Sequence, residues 1–292
     1  MKPASFEYHA PASIDEALGL LRQHASDVRL LAGGQSLVPM MNFRLVAPAV
    51  IVDLNRIPEL AYVEDAGSVV RIGAMTRQRA VEFSSVVGEK LPLLREAIKL
   101  VGHLPTRTRG TIGGSIAHAD PSAEIPMVFQ ALEGEMVARG PQGSRTIKAA
   151  DFFRDALTTS LAPDEILVEV RLPAMPSGAG FAVEEFSRRP GDFAIVAIAA
   201  VVVRDGARCT KARLATAGVS AHSVRLRAAE EVLEGTLFED LGPGENAIAR
   251  AADIAAELVE PLADQNASAE FRRHLTRVLT RRALLKAAAG TG

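Results

Sequence analysis

The chain has 292 residues, 48% hydrophobic and 23% charged, which is enough apolar material for about two domains with a buried core. Its 33 basic and 35 acidic side chains leave a net charge of -2, which excludes a general nucleic-acid binder. The single cysteine, Cys209, excludes an intrachain disulfide, a cysteine-ligated iron–sulfur cluster and a Cys-rich zinc site, and implies a cytoplasmic chain.

The N-terminus has no apolar run of the secretory kind, and the most apolar stretch, Phe193 to Val203, is about half of what a bilayer span needs. No membrane span is expected. Ile14 to His24 has helical spacing, with Ser13 as N-cap and Glu16 three residues on. Val28 to Leu31, Val50 to Leu54 and Val69 to Ile72 read as strands. Thr76 reads as the cap of a helix to about Val86, and Leu91 to Leu100 as the next helix. A basic loop follows, Thr106 to Gly110. After Glu124 come an apolar helix, a hairpin (Glu135–Ala138 with Ser144–Ile147) and a half-buried strand, Ile166 to Leu172. Pro173 to Gly178 suits a linker. Beyond it, strands over Gly180–Ser187, Phe193–Arg204 and Ala212–Val219 precede helices over Ser223–Glu234, Glu245–Leu258 and Ala267–Ala289, an α+β order.

Two segments carry chemistry. In Ala32-Gly33-Gly34-Gln35-Ser36-Leu37 a strand runs into paired glycines, whose N–H groups can form a nest for phosphate oxygens beside the Ser36 hydroxyl. It is neither a Rossmann nor a Walker A loop, and no helix at the Rossmann spacing follows. Thr111-Ile112-Gly113-Gly114-Ser115 repeats the pattern. Either loop alone can be an ordinary turn; together they point to a ligand with two or more phosphates. Asp120 and Glu124 can accept hydrogen bonds from a ribose or adenine, or Asp120 simply starts a turn. The six histidines show no H-x-x-x-H or H-E-x-x-H spacing, so no metal site is expected. Arg188-Arg189 reads as a solvated strand end or a phosphate or subunit contact. Arg272 to Lys286 reads as a solvated basic helix face or a docking surface. Cys209 reads as an inert thiol.

The two glycine segments in this order resemble the FAD-pyrophosphate loops of the medium flavoprotein subunits of molybdenum hydroxylases, the family of the carbon monoxide dehydrogenase medium subunit and the xanthine dehydrogenase FAD domain. Pro39-Met40-Met41, Asp53-Leu54-Asn55, Ile72-Gly73-Ala74, Arg107 to Gly110 and Gly191-Asp192-Phe193-Ala194 extend the resemblance over essentially the whole chain. It implies a two-subdomain FAD-binding fold of the p-cresol methylhydroxylase/vanillyl-alcohol oxidase type over residues 1–174, with subdomains of about 1–55 and 56–174. It also implies a C-terminal domain of three antiparallel strands and helices over 179–292. The implied role is an electron relay carrying FAD. The molybdopterin cofactor would sit on a large partner subunit and two [2Fe-2S] clusters on a small one, in a dimer of heterotrimers. By the same resemblance Ala32, Gly33, Gly34, Gln35, Ser36 and Leu37 wrap the pyrophosphate, and Thr111, Ile112, Gly113, Gly114 and Ser115 close its other side. Asp120 and Glu124 offer carboxylates, Leu167 packs on the adenine side, Val101 is an apolar neighbour and Phe193 approaches the ring system. The sequence departs from the family at Glu184 and Glu185, where relatives often have Lys. A stand-alone FAD oxidoreductase and a flavin-free scaffold subunit are the alternative readings.

Overall fold

The computed structural model describes residues 2–24, 27–238 and 247–290. Helix α1 (Ile14–His24) buries Ile14, Ala17, Leu18 and Leu21, the stripe its spacing predicts. Glu16 N–H donates to the Ser13 hydroxyl at 3.2 Å, and the Glu16 carboxylate accepts the Ala12 N–H at 2.8 Å. The helix covers a parallel sheet of β1 (Glu7–His9), β2 (Val28–Leu31) and β3 (Val50–Asp53), with β3 central. β1 is short and mostly exposed, so no apolar pattern announced it. Directly after the first glycine pair the chain forms α2 (Leu37–Asn42), where no helix of the Rossmann kind was expected. Pro39 is its third residue, inside the first turn, where no N–H is required.

The middle of the chain is an antiparallel sheet. Its strands are β4 (Val63–Asp65), β5 (Val69–Gly73), β6 (Glu135–Gly140), β7 (Gly143–Lys148) and β10 (Ile166–Pro173), in the order β4-β5-β10-β6-β7; the numbers β8 (Phe153–Asp155) and β9 (Thr158–Thr159) belong to a separate small hairpin. Helices fill the connection from β5 to β6: α3 (Gln78–Phe83), α4 (Ser85–Lys90), α5 (Pro92–Leu100), α6 (Leu104–Arg109), α7 (Ile112–His118) and α8 (Glu124–Ala131). A short α9 (Ala149–Phe152) precedes β8. The helix expected from Thr76 to Val86 is two helices. Thr76 is not its cap, because its hydroxyl is engaged with Tyr62, accepting the N–H at 3.0 Å and donating to the carbonyl at 2.8 Å. Ser84 breaks the run and caps α4 by accepting the Val87 N–H. The expected basic loop is α6, with Pro105 in its first turn. Every residue of α8 is buried.

The C-terminal part opens with the expected strands, β11 (Gly180–Phe186), β12 (Val196–Asp205) and β13 (Arg208–Ala217), joined antiparallel by a two-residue β14 (Val224–Arg225). β14 and α10 (Arg227–Glu231) occupy the segment expected to be one helix. Helix α11 (Ala247–Leu258) is seen from Ala247, and the first two positions of the expected helix lie outside the described residues. Helix α12 (Ala269–Ala288) closes the chain. Along β12, Ala197, Ala199 and Val201 join the core shared with the antiparallel sheet and α8. Ile198, Ala200 and Val202 join the core beneath α11 and α12. A strand covered on both faces reads as an unbroken apolar run, which is what Phe193 to Val203 shows. Arg272 is not solvated as its basic helix suggested. It is buried and donates to the carbonyls of Ile195 at 2.6 Å and Gly218 at 2.7 Å and to Asp264 at 2.8 Å. Among the described residues no helix is long and apolar enough to cross a membrane.

Candidate functional site

The loop after β2, the start of α7 and the hairpin between β11 and β12 surround one cleft of about 690 Å³, within the roughly 300–1,000 Å³ span of small-ligand and cofactor sites. Ala32, Gly33, Gly34, Gln35, Ser36 and Leu37 all line it. A Cβ on Gly33 would stand 2.5 Å from the Arg109 carbonyl oxygen and 2.7 Å from the Gly110 Cα, so only glycine lets the two segments touch. The Gln35 side chain folds back, donating to the Gly33 carbonyl at 3.1 Å. Among the described residues no group takes the N–H of Gly33, Gly34, Gln35 or Ser36. Four neighbouring donors therefore remain open beside the cleft, together with the Ser36 hydroxyl, which makes no cap bond.

The second glycine segment is built differently. Thr111 is the N-cap of α7, so the segment is the first turn of a helix rather than a loop. Its N–H groups are spent inside the protein. Ile112 N–H donates to Thr76 O at 3.0 Å, Gly113 N–H to Ala74 O at 2.8 Å, Gly114 N–H to Thr111 Oγ1 at 3.0 Å and Ser115 N–H to Thr111 O at 3.2 Å. A Cβ on Gly113 would stand 2.5 Å from the Ala74 Cβ. Expected as a second nest of N–H donors, the segment instead offers the cleft hydroxyls, from Thr111 and Ser115. Thr111, Gly113, Gly114 and Ser115 line the cleft; Ile112 does not, because its side chain is fully buried in the core.

The remaining candidates also meet here. Asp120, Glu124, Leu167, Val101 and Phe193 all line the cleft, Leu167 and Glu124 as nearly buried walls and Phe193 as a rim residue that is 65% exposed. Asp120 Oδ1 accepts the Ser122 N–H at 2.8 Å, the turn contact that its sequence also allowed. Burial pushes the Glu124 carboxyl up to about 8, with the neighbouring negative charge of Glu185 adding to the shift. Burial likewise lifts the Cys209 thiol to about 11, in keeping with an inert group.

Three residues were not among the expected site residues. Asn55 Nδ2 donates to the Ala32 carbonyl at 2.9 Å, and Arg77 donates to Asn55 Oδ1 at 2.5 Å and to the Arg109 carbonyl. Asn55 and Arg77 thus tie the backs of the two segments together. The turn Asp53-Leu54-Asn55, in which Asp53 Oδ1 accepts the Asn55 N–H at 2.9 Å, was the only available signal. Gln78 lines the cleft with a buried Oε1 that has no hydrogen-bond partner. Such an orphaned acceptor fits a cleft that takes a polar ligand. An open row of N–H groups, facing hydroxyls, apolar walls and a free amide are the donor and wall set that a dinucleotide with a pyrophosphate and an aromatic ring system requires.

The fold is that of a flavin-binding oxidoreductase. Residues 4–175 match the FAD binding domain in molybdopterin dehydrogenase, and residues 181–287 match the CO dehydrogenase flavoprotein C-terminal domain. The chain belongs to this family of FAD-binding subunits of molybdopterin dehydrogenases. It is 39% identical over 288 residues to the 6-hydroxypseudooxynicotine dehydrogenase complex subunit alpha of Paenarthrobacter nicotinovorans, covering 98% of this chain and 96% of the relative. Carbon monoxide dehydrogenase from Hydrogenophaga pseudoflava, solved without the Mo-pyranopterin moiety of its molybdenum cofactor, has a chain that superposes with a TM-score of 0.96 at 41% identity, covering 100% of both chains. Quinoline 2-oxidoreductase from Pseudomonas putida 86 gives 0.93 at 36% identity, with 99% of each chain covered.

Proposed function

We propose that this chain is the FAD-carrying electron-transfer subunit of a heteromeric molybdenum hydroxylase or dehydrogenase. A molybdopterin-binding large subunit and a small subunit with two [2Fe-2S] clusters are its partners, in a cytoplasmic dimer of heterotrimers. FAD, when bound, supplies a group that holds one or two electrons, which suits a junction between one-electron clusters and a terminal acceptor. The observation that carries this reading is that two glycine segments distant in sequence wall one cleft, one with open N–H donors and the other with hydroxyls. On this reading residues 1–174 hold the flavin. Gly33 to Ser36 donate to the pyrophosphate, while Ser115 and Thr111 face it. Leu167 and Val101 pack against the adenine and neighbouring parts, and Phe193 borders the ring system. Cys209 is the only cysteine and is buried, which supports placing the clusters on another chain.

The test is an absorption spectrum of the chain, alone and co-expressed with its neighbouring gene products, followed by heat release and identification of the cofactor. Released FAD, with iron–sulfur absorbance only when partners are present, supports the relay. A colourless chain in both preparations overturns it. Complete substrate turnover by the chain alone favours the stand-alone oxidoreductase instead.

A further inference from the structure

The open N–H row after β2 offers an anion hydrogen bonds, yet the cleft itself offers it little positive charge. Among the described residues that line it, Asp120, Glu124, Glu165 and Asp192 are acids and Arg29 is the one arginine or lysine. Arg29 lies on β2, four residues before Gly33, and its Nη1 donates to the Val28 carbonyl at 2.9 Å. Glu165 is paired at 2.6 Å with Arg145, which is not a lining residue. A pyrophosphate diester carries two negative charges. Its counter-charge is therefore to be sought behind the backbone that binds it.

Arg77 is built into that position. Its backbone bridges to Thr111, flanked by Ile112 N–H donating to Thr76 O at 3.0 Å and Gln78 N–H donating to Gly110 O at 2.9 Å. Its guanidinium donates to the Arg109 carbonyl, whose oxygen is 2.5 Å from where a Gly33 Cβ would stand. One carbonyl group thus separates the cation from the first glycine of the row. The other arm of the fork donates to Asn55 Oδ1 at 2.5 Å, and Asn55 Nδ2 donates to the Ala32 carbonyl at 2.9 Å. The carbonyl oxygens of Ala32 and Arg109, which border the row, are both engaged by donors. Among the described residues the acceptors of Arg77 are neutral oxygens, not carboxylates. The acid whose charge acts on it is Asp53. That carboxylate is shared with the Tyr8 hydroxyl at 2.6 Å, the Asn55 N–H at 2.9 Å and Asn55 Nδ2. Burial first, and then the Arg109 cation, hold the Arg77 pKa below the ordinary arginine value, and an arginine stays charged all the same. A partly desolvated cation with no bonded carboxylate gains from an anion placed nearby.

We propose that Arg77 is a positioning residue that supplies the counter-charge for the ligand's pyrophosphate from behind the first glycine segment. The cleft then selects an anionic dinucleotide by charge as well as by N–H donors. The identity of that ligand as FAD rests on the flavin reading above, whereas the counter-charge applies to any pyrophosphate held by Gly33 to Ser36.

Calorimetric titrations of the purified full-length chain, freed of cofactor, with ADP and with FAD test it. Arg77→Gln keeps an N–H donor and removes the charge, and is expected to weaken both ligands about tenfold. Arg77→Lys keeps the charge and loses the fork, and is expected to stay within about twofold of wild type. The gap between wild type and Arg77→Gln should narrow as salt rises from about 50 mM to about 300 mM. Asp53→Asn removes the opposing charge while keeping an acceptor for the Asn55 N–H. It is expected to bind ADP about threefold more tightly, a gain that a loosened tie between the segments does not produce. Binding of ADP without binding of FAD defeats the flavin reading and leaves the counter-charge to be judged on ADP. A loss in Arg77→Lys as large as that in Arg77→Gln, no gain in Asp53→Asn, or no ADP binding by the wild type overturns the proposal. Where Arg77→Gln does not fold, the sign of the Asp53→Asn effect decides.

Discussion

The two glycine segments look alike in sequence and do opposite things with their backbones. After β2, the N–H groups of Gly33 to Ser36 are left open at the cleft. At the start of α7, those of Ile112 to Ser115 are consumed by Thr76, Ala74 and Thr111. In the first segment glycine leaves donors available and lets the chain touch Arg109 and Gly110. In the second, glycine lets a helix pack closely on Ala74. The same residue type thus leaves donors open on one side of the cleft and builds scaffold on the other. Only the carbonyls that lie opposite, in residues distant along the chain, decide which.

This contrast can be broken by substitution. Gly113→Ala is expected to have the largest effect, about 3 kcal/mol of stability from overpacking against Ala74, seen as a fall in Tm with flavin affinity less affected per unit of stability lost. Gly33→Ala is expected to act on the ligand instead. Displacing the loop from Arg109 weakens FAD binding by about 30-fold, or about 2 kcal/mol, in a fluorescence titration, with a smaller loss of Tm. If both variants lose stability and affinity in the same proportion, the division of labour is wrong. Asn55→Ala removes the tie between the segments and is expected to weaken FAD binding about tenfold. Its effect should not add to that of Arg77→Ala, because the two residues form one bridge.

The buried Glu124 carboxyl gives an expectation of its own. The unfolded chain ionises glutamates near about 4.3, whereas the folded chain keeps Glu124 neutral up to about 8. Stability that is fully present below the unfolded value is therefore lost as pH rises through the folded one. Glu124→Gln should gain in Tm relative to wild type as pH increases, a drift of a few degrees that a melting series records. Ser115→Ala should be the mildest change, about threefold in FAD affinity, since it removes one hydroxyl and no backbone donor.

Much of this was legible in sequence. The α1 stripe, the strand leading into the first glycine pair and the strand-then-helix order after the linker follow from periodicity and turn residues. So did the company kept at the cleft by residues as distant as Ser36, Glu124 and Phe193, through the resemblance. Several short helices were missed; of these, α2 and α6 each carry a proline that reads as a loop until it is seen inside a first turn. The closed N–H groups of α7 were missed because their acceptors belong to Ala74 and Thr76. Ile112 was grouped with its neighbours, although helical geometry turns its side chain to the core. Arg77 has no motif at all; its role exists only where β2, the Asp53 turn and α6 converge.

The alternation along β12 has a mechanical consequence. Its odd positions are in one hydrophobic interior and its even positions in another, so the strand is a partition shared by both rooms rather than an outer wall of either. Stripping the C-terminal part away would open the interior that holds α8 and Glu124, and the subunit should melt as a single body even though its sequence divides in two.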